Sequence, residues 1–349
     1  MPKYNLFDLD HKHLTNILTS EYEQSKFRSE QIMRWIYRRG VCDFDNMSDV
    51  SKDFREILKR DFSTVLPALK HQQISEDGTI KILVELYDGL TVESVLMRYK
   101  YGQAACVSSE VGCPMGCTFC ATGTIKKLRA LTPSEMIGQI MILNDILKPE
   151  DLRVTHIVVM GMGEPFDNYD NVMEFIRIAN DYRAFEIGAR HISVSTCGIV
   201  PKIVEYAREG LQTNLAISFH APNDEIRNKI MPINKVYPIE KLIEAIKEYT
   251  KITRRRVTLE YILIKDFNDR LCDAKELFHL VKSLNIGINL IPYNPTSHAP
   301  YERSTKKNIH EFFDFLQSKN VNCTIRKEFG NDIDASCGQL KARYKDEQN

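Results

Sequence analysis

From about residue 104 onward, the chain alternates short apolar runs with amphipathic stretches, and this alternation constrains the fold more than any other feature. The apolar runs are ACVSSE, THIVVMG, HISVST, TNLAISF, RVTLEYILI, GINLIPYN and NCTIR. The stretches between them include SEMIGQIMILNDIL, PIEKLIEAIKEYTKI and DAKELFHLVKSL. The pattern predicts an α/β fold in which parallel strands are joined by crossover helices. It does not decide between an open sheet and a barrel.

The first part of the chain has a different character. Residues 9–62 are typical of short helices, because Ile32, Trp35 and Ile36 recur at helical spacing and Gly40 can end that helix. Asp-Gly between two alternating apolar runs predicts a β-hairpin within 71–99. We expect a helical accessory domain at 1–70, a β-hairpin extension at 71–98 and a core at 99–349.

Charge does not reveal a partner, because Lys plus Arg and Asp plus Glu number 47 each. Local basic clusters that could contact phosphates occur at Arg34, Arg38 and Arg39; Lys126, Lys127 and Arg129; Arg254, Arg255 and Arg256; and Arg303, Lys306 and Lys307. The N-terminal MPKYNLFDLDHKHL is too polar for a signal peptide, and no long apolar run suggests a membrane span. A cytoplasmic protein is therefore expected.

Nine cysteines are many for a cytoplasmic chain. In a reducing compartment, metal binding or catalysis is a better explanation for them than disulfides. Cys113, Cys117 and Cys120 form a C-x3-C-x2-C array directly after the first strand of the βα series. Three thiolates on one turning loop favour an iron–sulfur cluster with one iron open to a small molecule. Zinc is the alternative, but it usually needs a second C-x2-C pair, which the sequence lacks.

Later strands end in polar or glycine-rich segments, where a ligand at the mouth of a βα array would lie. The second run ends in MGMGEP, in which Gly161 and Gly163 allow close approach of a ligand and Glu164 could accept from an ammonium group. The other strand-end residues are Ser193, Ser195 and Thr196; Ser218, Phe219 and His220; and Tyr293, Asn294 and Pro295. Together they predict a binding site, although each alone could be a cap.

Two further cysteines could lie near this mouth. Cys106 is on the first strand, and Cys337 is in the polar segment NDIDASCGQL after the last strand. They could be a nucleophile and its resolving partner, or ordinary buried thiols. Spacing alone leaves both readings open.

The segments CVSSEVGCPMGCTFCATG, MGMGEP, SFHAPNDEIRNKIMPIN, NLIPYNP and DIDASCGQL, in this order, resemble the RlmN and Cfr family of radical-SAM RNA adenine methyltransferases. The resemblance covers about residues 15–343. MGMGEP and HAPNDEIR are most similar to the RlmN branch, which methylates C2 of adenine. The resemblance implies a partial (β/α)6 barrel, a [4Fe-4S] cluster and two S-adenosylmethionine molecules per turnover.

The resemblance also implies a role for individual residues. It assigns Cys113, Cys117 and Cys120 to the cluster, Cys337 to carrying the methyl group and Cys106 to resolving the intermediate. Glu93 matches a proton acceptor, although its position alone suggests an exposed strand residue. The residues assigned to S-adenosylmethionine are Gly163, Glu164, Ser195, Ser218, Phe219, His220 and Asn294.

The implied substrate is an adenine of 23S rRNA near the peptidyl transferase centre, with an adenine beside the tRNA anticodon as a second candidate. Because residues 1–98 carry no cofactor motif, we expect them to serve RNA binding and to be dispensable for the metal site. The implied partners are an electron donor such as flavodoxin or ferredoxin and a thiol reductant that resets a Cys106–Cys337 disulfide; a monomer is expected. Three alternatives remain: methylation at C8, a non-catalytic iron–sulfur RNA-binding factor, and a radical-SAM enzyme acting on a small molecule.

Overall fold

The structure is a computed structural model that describes residues 2–296 and 298–341. In these ranges the strands are β1 (Tyr4–Asn5), β2 (Phe62–Ser63), β3 (Ala68–Ile74), β4 (Ile80–Glu85), β5 (Thr91–Tyr99), β6 (Gly102–Cys106), β7 (Glu110–Val111), β8 (Arg129–Ala130), β9 (Val154–Val159), β10 (Ile192–Thr196), β11 (Asn214–Ser218), β12 (Val257–Leu263), β13 (Ile286–Pro292) and β14 (Cys323–Ile325). The α-helices are α1 (His11–Glu21), α2 (Phe27–Met33), α3 (Lys52–Asp61), α4 (Pro133–Leu147), α5 (Tyr169–Asn180), α6 (Val200–Arg208), α7 (Asp224–Ile230), α8 (Ile239–Thr253), α9 (Leu271–Val281) and α10 (Lys306–Ser318).

Every predicted apolar run of the βα series contains a strand, and these strands pair in parallel in chain order. The order runs β6-β9-β10-β11-β12-β13-β14 within the described residues. A doubly wound open sheet would reverse its order part-way, so this one-way order indicates a barrel. Helices α4, α5, α6, α8, α9 and α10 fall in the successive crossovers. The predicted partial (β/α)6 barrel is confirmed, and the alternative of an open sheet is excluded.

The two faces of the barrel strands differ in polarity. On β10, Ile192 and Val194 are buried in the apolar core, whereas Ser193 and Ser195 are only half-buried. Side chains alternate along a strand, so the apolar set faces the helices and the polar set faces the inside of the barrel. The inner face is therefore available to ligands.

The predicted Asp-Gly hairpin is also confirmed. Strands β4 and β5 pair antiparallel around a turn at Asp88 and Gly89, where Gly89 has φ +81°. Strand β5 also pairs with β6, the first strand of the barrel, and β3 pairs with the other edge of β4. The sheet therefore has ten strands in the described part of the chain. The proposed boundaries at 70–71 and 98–99 fall inside β3 and β5, and the division into domains stays a proposal.

The N-terminal helices pack on the barrel. Leu14, Leu18, Ile32, Trp35 and others belong to one core together with the barrel residues. The Asp10 backbone N–H donates to Glu174 Oε1 on α5 at 2.6 Å. Strand β5 also supports the strand that precedes the cysteine loop, because Ser94 Oγ donates to the Cys106 carbonyl at 2.7 Å. These contacts argue against the expectation that residues 1–98 can be removed without affecting the metal site.

The end of the described chain, residues 326–341, crosses the gap between β14 and the antiparallel extension; we call it the C-terminal strap. It contacts the extension where Gly330 N–H donates to Asp77 Oδ2 at 3.1 Å. It contacts the cysteine loop where Ala121 N–H donates to the Gly338 carbonyl at 2.7 Å. The strap thereby brings Cys337 to the open side of the barrel. None of the described helices has the length and hydropathy that a membrane span requires.

Candidate active site

The cysteine loop follows β6 and is folded by its own backbone contacts. Cys113 N–H donates to the Ile125 carbonyl at 3.0 Å, and Cys120 N–H donates to the Cys117 carbonyl at 3.2 Å. A Cβ at Gly123 would lie 2.6 Å from the Cys117 carbonyl oxygen, so only glycine fits there. The sequence thus forms a tight loop that turns all three cysteines toward one cavity.

The number of cysteines that the loop supplies favours a cluster over a single ion. Cys113, Cys117 and Cys120 come from one loop and line one cavity. A structural zinc is almost always held by four protein ligands. Three thiolates on a [4Fe-4S] cluster leave one iron open to a small molecule. The donor set fits a [4Fe-4S] cluster better than it fits zinc.

Burial opposes ionisation of these thiols in the protein chain alone. It raises the pKa of Cys113 to about 12, and it also raises the pKa of Cys117 and Cys120. A metal binds the thiolate form, so cluster insertion must release these protons, and the positive charge of iron compensates the burial. The site is therefore built to hold thiolates only when iron is present.

The carboxyl ends of the barrel strands meet the cysteine loop around one cavity of about 900 Å³, including its open mouth. Its lining includes Cys113, Cys117, Cys120, Gly163, Glu164, Ser195, Ser218, His220 and Cys337. Phe219 and Asn294 do not line it. The Phe219 side chain is fully buried in the core, and Asn294 Nδ2 donates to the Cys337 carbonyl at 3.4 Å. Asn294 thus positions the strap.

Glu164 differs from the expectation that its carboxylate is free to receive an ammonium group. Its Oε1 accepts from Phe166 N–H at 3.0 Å, and its Oε2 accepts from Cys197 N–H at 2.7 Å. Burial nevertheless raises the pKa of this carboxyl. The side chain therefore links the segments that follow β9 and β10. Each oxygen already accepts one hydrogen bond, so only the second lone pair of each is left for a ligand in the cavity.

Cys106 and Cys337, the two candidate reactive cysteines, both interact electrostatically with Arg326, whose side chain is only 17% exposed. Cys337 lines the cavity, and Cys106 is buried at the end of β6. Burial, with a smaller contribution from Cys337, raises the pKa of Cys106 to about 12. The Arg326 guanidinium opposes that shift, and its own pKa is raised chiefly by Cys337. Arg326 also pairs with Glu260 at 3.6 Å, which restrains this positive charge near the inner face of the barrel.

Glu93 is not the exposed strand residue that its position alone suggested. The residue is only 6% exposed, because it lies on β5 beneath the strap. Its Oε2 accepts from Lys341 N–H at 2.6 Å, and its Oε1 is 3.4 Å from Lys81 Nζ. Val95, two residues further along the same strand face, pairs with Cys106. Glu93 is thus on the same side of the sheet as Cys106.

Comparison with known proteins agrees with this geometry. The model of the radical SAM superfamily matches residues 107–281, and that of the ribosomal RNA large subunit methyltransferase N-terminal domain matches residues 4–63. A "probable dual-specificity RNA methyltransferase RlmN" from Spiroplasma citri is 50% identical over 91% of this chain and 92% of its own length. One of the same name from Streptococcus suis is 52% identical over 92% of this chain and 88% of its own length.

A crystal structure of a radical SAM methyltransferase from Sphaerobacter thermophilus is 40% identical. It superposes with a TM-score of 0.91 over 97% of this chain and all of that chain. This chain belongs to the RlmN family of the radical SAM superfamily. The resemblance inferred from the sequence motifs is confirmed, and with it the cofactors, a [4Fe-4S] cluster and S-adenosylmethionine.

Sequence reasoning missed the residue that holds the strand ends of this RlmN-family site in place. Arg227 on α7 is fully buried and donates to the carbonyls of Cys197 at 2.7 Å, Ser218 at 3.0 Å and Phe219 at 3.0 Å. Burial lowers its pKa to about 10, so it stays charged near neutral pH. Beside it, burial lowers the pKa of His220 to about 3, and the neutral ring accepts from Ile262 N–H. In the sequence, the only indication of this role was that Arg227 is the arginine of the HAPNDEIR motif.

Replacing Arg227 by glutamine is expected to lower the free energy of unfolding by roughly 2–4 kcal/mol, because buried carbonyls lose their donors. The midpoint of an anaerobic urea titration measures this. Arg208→Gln is the matched control, since that side chain is 68% exposed and its pair with Glu248 contributes little. Equal midpoints for the two variants would contradict the role given to Arg227.

Two predicted basic clusters are at least partly committed to internal contacts. Lys127 Nζ lies 2.6 Å from Glu110 Oε1, and Arg129 donates to both oxygens of Glu135 at 2.7 Å. Arg38 pairs with Glu186 at 2.8 Å. Because each of these side chains already has a carboxylate partner, it is a poorer candidate for phosphate contacts than its sequence cluster suggested.

Sequence reasoning also missed Glu260 and Arg326. Glu260 is the charged residue inside the apolar run RVTLEYILI, and Arg326 is at the end of NCTIR. In register, Glu260 pairs with Asn289, whose Nδ2 donates to the Glu260 carboxylate at 2.8 Å. An isolated charge in a buried strand is a signal of an inner-face position. That signal could have been read from RVTLEYILI.

Proposed function

We propose that this protein methylates C2 of an adenine in 23S rRNA, and of an adenine beside the tRNA anticodon, with the methyl carbon carried on Cys337. The observation that carries the proposal is a pair of thiols near the cluster loop: Cys337 lines the same cavity as the loop cysteines, and Cys106 ends the strand that leads into the loop. An RNA-binding iron–sulfur factor needs no second thiol there. The names of the relatives support RNA as the substrate class.

The chemistry explains why both thiols are needed. An adenine C2–H is neither acidic nor nucleophilic, so polar methyl transfer to it is very slow. When bound, the cluster and S-adenosylmethionine would supply an electrophilic methyl group, a means of removing a hydrogen atom, and an acceptor for the one electron that the ring gives up along with its proton. Cys337 Sγ holds the carbon until it is bonded to the base, which joins protein and RNA covalently.

Release then depends on Cys106 and a base. A thiolate at Cys106 attacks Cys337 Sγ; the S–S bond forms, the C–S bond breaks, and the carbon leaves with the electron pair and takes a proton. Glu93 is the proposed acceptor of the ring proton, which fits its place on the Cys106 side of β5. The two thiols are oxidised to a disulfide, and a thiol reductant must restore them.

The site also limits the form of the RNA. The cysteines lie inside a partial barrel under the strap, where a base in a duplex cannot reach. The target should be an unpaired adenine turned out of its stack. We propose that the enzyme acts in the cytoplasm as a monomer, with flavodoxin or ferredoxin as the electron donor.

Mass spectrometry of RNA nucleosides from cells with and without the gene tests the function. We expect 2-methyladenosine to disappear from 23S rRNA, and from the tRNAs that carry it, when the gene is deleted. Complementation with the Cys337→Ala variant should not restore it. Loss of 8-methyladenosine would establish C8 chemistry instead, and unchanged RNA would refute the proposed activity.

A further inference from the structure

The open end of the barrel opposite the cluster loop carries a run of rings in contact, Phe329, Tyr99, Tyr101, His156 and His191; we call it the aromatic ladder. Phe329 meets Tyr99 edge-on at 4.7 Å, and Tyr99 stacks on Tyr101 at 4.8 Å and 21°. Tyr101 meets His156 at 5.2 Å, and His156 stacks on His191 at 4.3 Å and 23°. The contacts are continuous from the strap to the rim.

The ladder begins beside the reactive thiols. Phe329 belongs to the strap, and its carbonyl accepts from the hydroxyl of Ser336, the residue before Cys337, at 2.8 Å. Cys106 on β6 pairs with Val158 on β9. His156 precedes Val158 by two residues and points to the same face of the sheet. It therefore lies about 7 Å from the level of Cys106, toward the amino end of β9. His191 precedes Ser195 by four residues, or about 13 Å along β10. That span corresponds to roughly four stacked bases at 3.4 Å each.

The rim end of the ladder is accessible to a ligand. Tyr101 is 68% exposed, and His191 is exposed as well. The turn that carries Tyr101 lies close against β9, since a Cβ at Gly102 would be only 2.2 Å from Thr155 Oγ1. Burial, with help from His191, lowers the pKa of His156, so its ring is neutral at neutral pH. Tyr101 and His191 are therefore the two rings of the ladder that a base can reach from the rim.

Positive charge flanks the same rim. Lys100 lies between the two tyrosines in sequence, Arg190 precedes His191, and Arg256 precedes β12; all three are exposed. Among the residues that the structure describes, none of these three has a carboxylate partner within 4.0 Å. They differ in this from Lys127 and Arg129, which are paired internally. A row of rings beside uncompensated cations is the surface that single-stranded nucleic acid recognises.

We propose that the aromatic ladder is a base-stacking platform for the single-stranded RNA that flanks the target adenine, with Lys100, Arg190 and Arg256 contacting its phosphates. This inference rests on the proposed function for the identity of the ligand as RNA. It adds a binding surface in the barrel opening, made from this chain's own side chains, and it assigns the entry path of the RNA to the end opposite the cluster loop.

The test measures binding of a labelled RNA stem-loop with an unpaired loop adenine to the cluster-loaded protein by fluorescence anisotropy. The double variant Tyr101→Ala with His191→Ala is expected to bind about tenfold more weakly, which is about 1.4 kcal/mol at 25 °C. Tyr101→Phe keeps a stacking face and should bind like the parent. Tyr87→Ala is the matched control, because Tyr87 is 71% exposed on the far turn of the hairpin.

Iron content of each variant checks that the fold is intact. An affinity of the double variant within twofold of the parent would overturn the inference. An equal loss for Tyr87→Ala would overturn it too, because it would show a general effect of removing exposed tyrosines. Methylation of the RNA is scored separately by mass spectrometry, so RNA that binds through the ladder without being methylated would refute the proposed function alone. A parent that binds no RNA would refute both.

Discussion

Cys106→Ala protein is expected to purify with RNA covalently attached, whereas Cys337→Ala protein should carry none. Cys337 is the proposed bearer of the methyl carbon, so no bond to RNA can form without it. Cys106 acts only after that bond exists, by attack on the Cys337 sulfur. Its removal should leave the crosslink in place, and turnover should fall to near zero in both variants. Denaturing gels before and after ribonuclease treatment measure the attached RNA.

The chain offers a matched control for this experiment. Cys323 on β14 is also buried, and burial raises its pKa to about 12, as it does for Cys106. It pairs with Ile288 on the helix-facing side of the sheet, whereas Cys106 pairs with Val158 on the inner face. Cys323→Ala should therefore methylate RNA and carry no crosslink, and the Cys106→Ala, Cys337→Ala double variant should also be free of RNA. Full activity of Cys106→Ala, or crosslinked RNA on Cys337→Ala, would require the two roles to be abandoned.

Changing Cys113, Cys117 or Cys120 to alanine is expected to abolish the metal site. The anaerobically reconstituted parent should hold about four irons and four sulfides and show the broad visible absorption of an iron–sulfur cluster. Each variant should lose that absorption and all RNA methylation, because one missing thiolate leaves a second iron without a protein ligand. Iron and sulfide assays and the absorption spectrum are the measurements.

Cys197 makes this test discriminating. It lies at the end of β10, lines the same cavity and packs in one apolar group with Cys117 and Cys120. If four thiolates held a zinc ion, Cys197 would be the natural fourth. We expect Cys197→Ala to retain its iron, since a cluster with three protein ligands does not need it. Stoichiometric zinc in the parent, lost in Cys197→Ala, would overturn the cluster assignment.

Predictions that depend on residues close together in the chain were confirmed, whereas the spatial order of the strands could not be predicted. The C-x3-C-x2-C loop and the Asp-Gly hairpin depend on residues close in the chain, and the structure forms both. The alternation of apolar runs likewise identified each strand of the barrel. Whether those strands form an open sheet or a barrel depends on their order in space, which no local pattern encodes.

Contacts across long separations account for what the sequence did not reveal. Arg227 is recognisable as a buried hub only when the carbonyls of Cys197, Ser218 and Phe219 are seen around it. Glu93 becomes buried because the strap lies over it, 248 residues later in the chain. Burial and hydrogen bonding of a charged group depend on such neighbours, so a sequence pattern predicts exposure by default.

The amino-acid sequence by itself therefore determined the family, the cofactor class and the candidate reactive cysteines, because these follow from residue type and spacing along short segments. The tertiary structure alone decided which side chains surround those cysteines. It brought Arg326 within electrostatic reach of Cys106 and Cys337, used Glu164 to join two strands, and assembled five rings into a ladder. The physical reason is that tertiary packing brings together segments that are far apart in the chain, and no local sequence pattern shows which distant segments will be in contact.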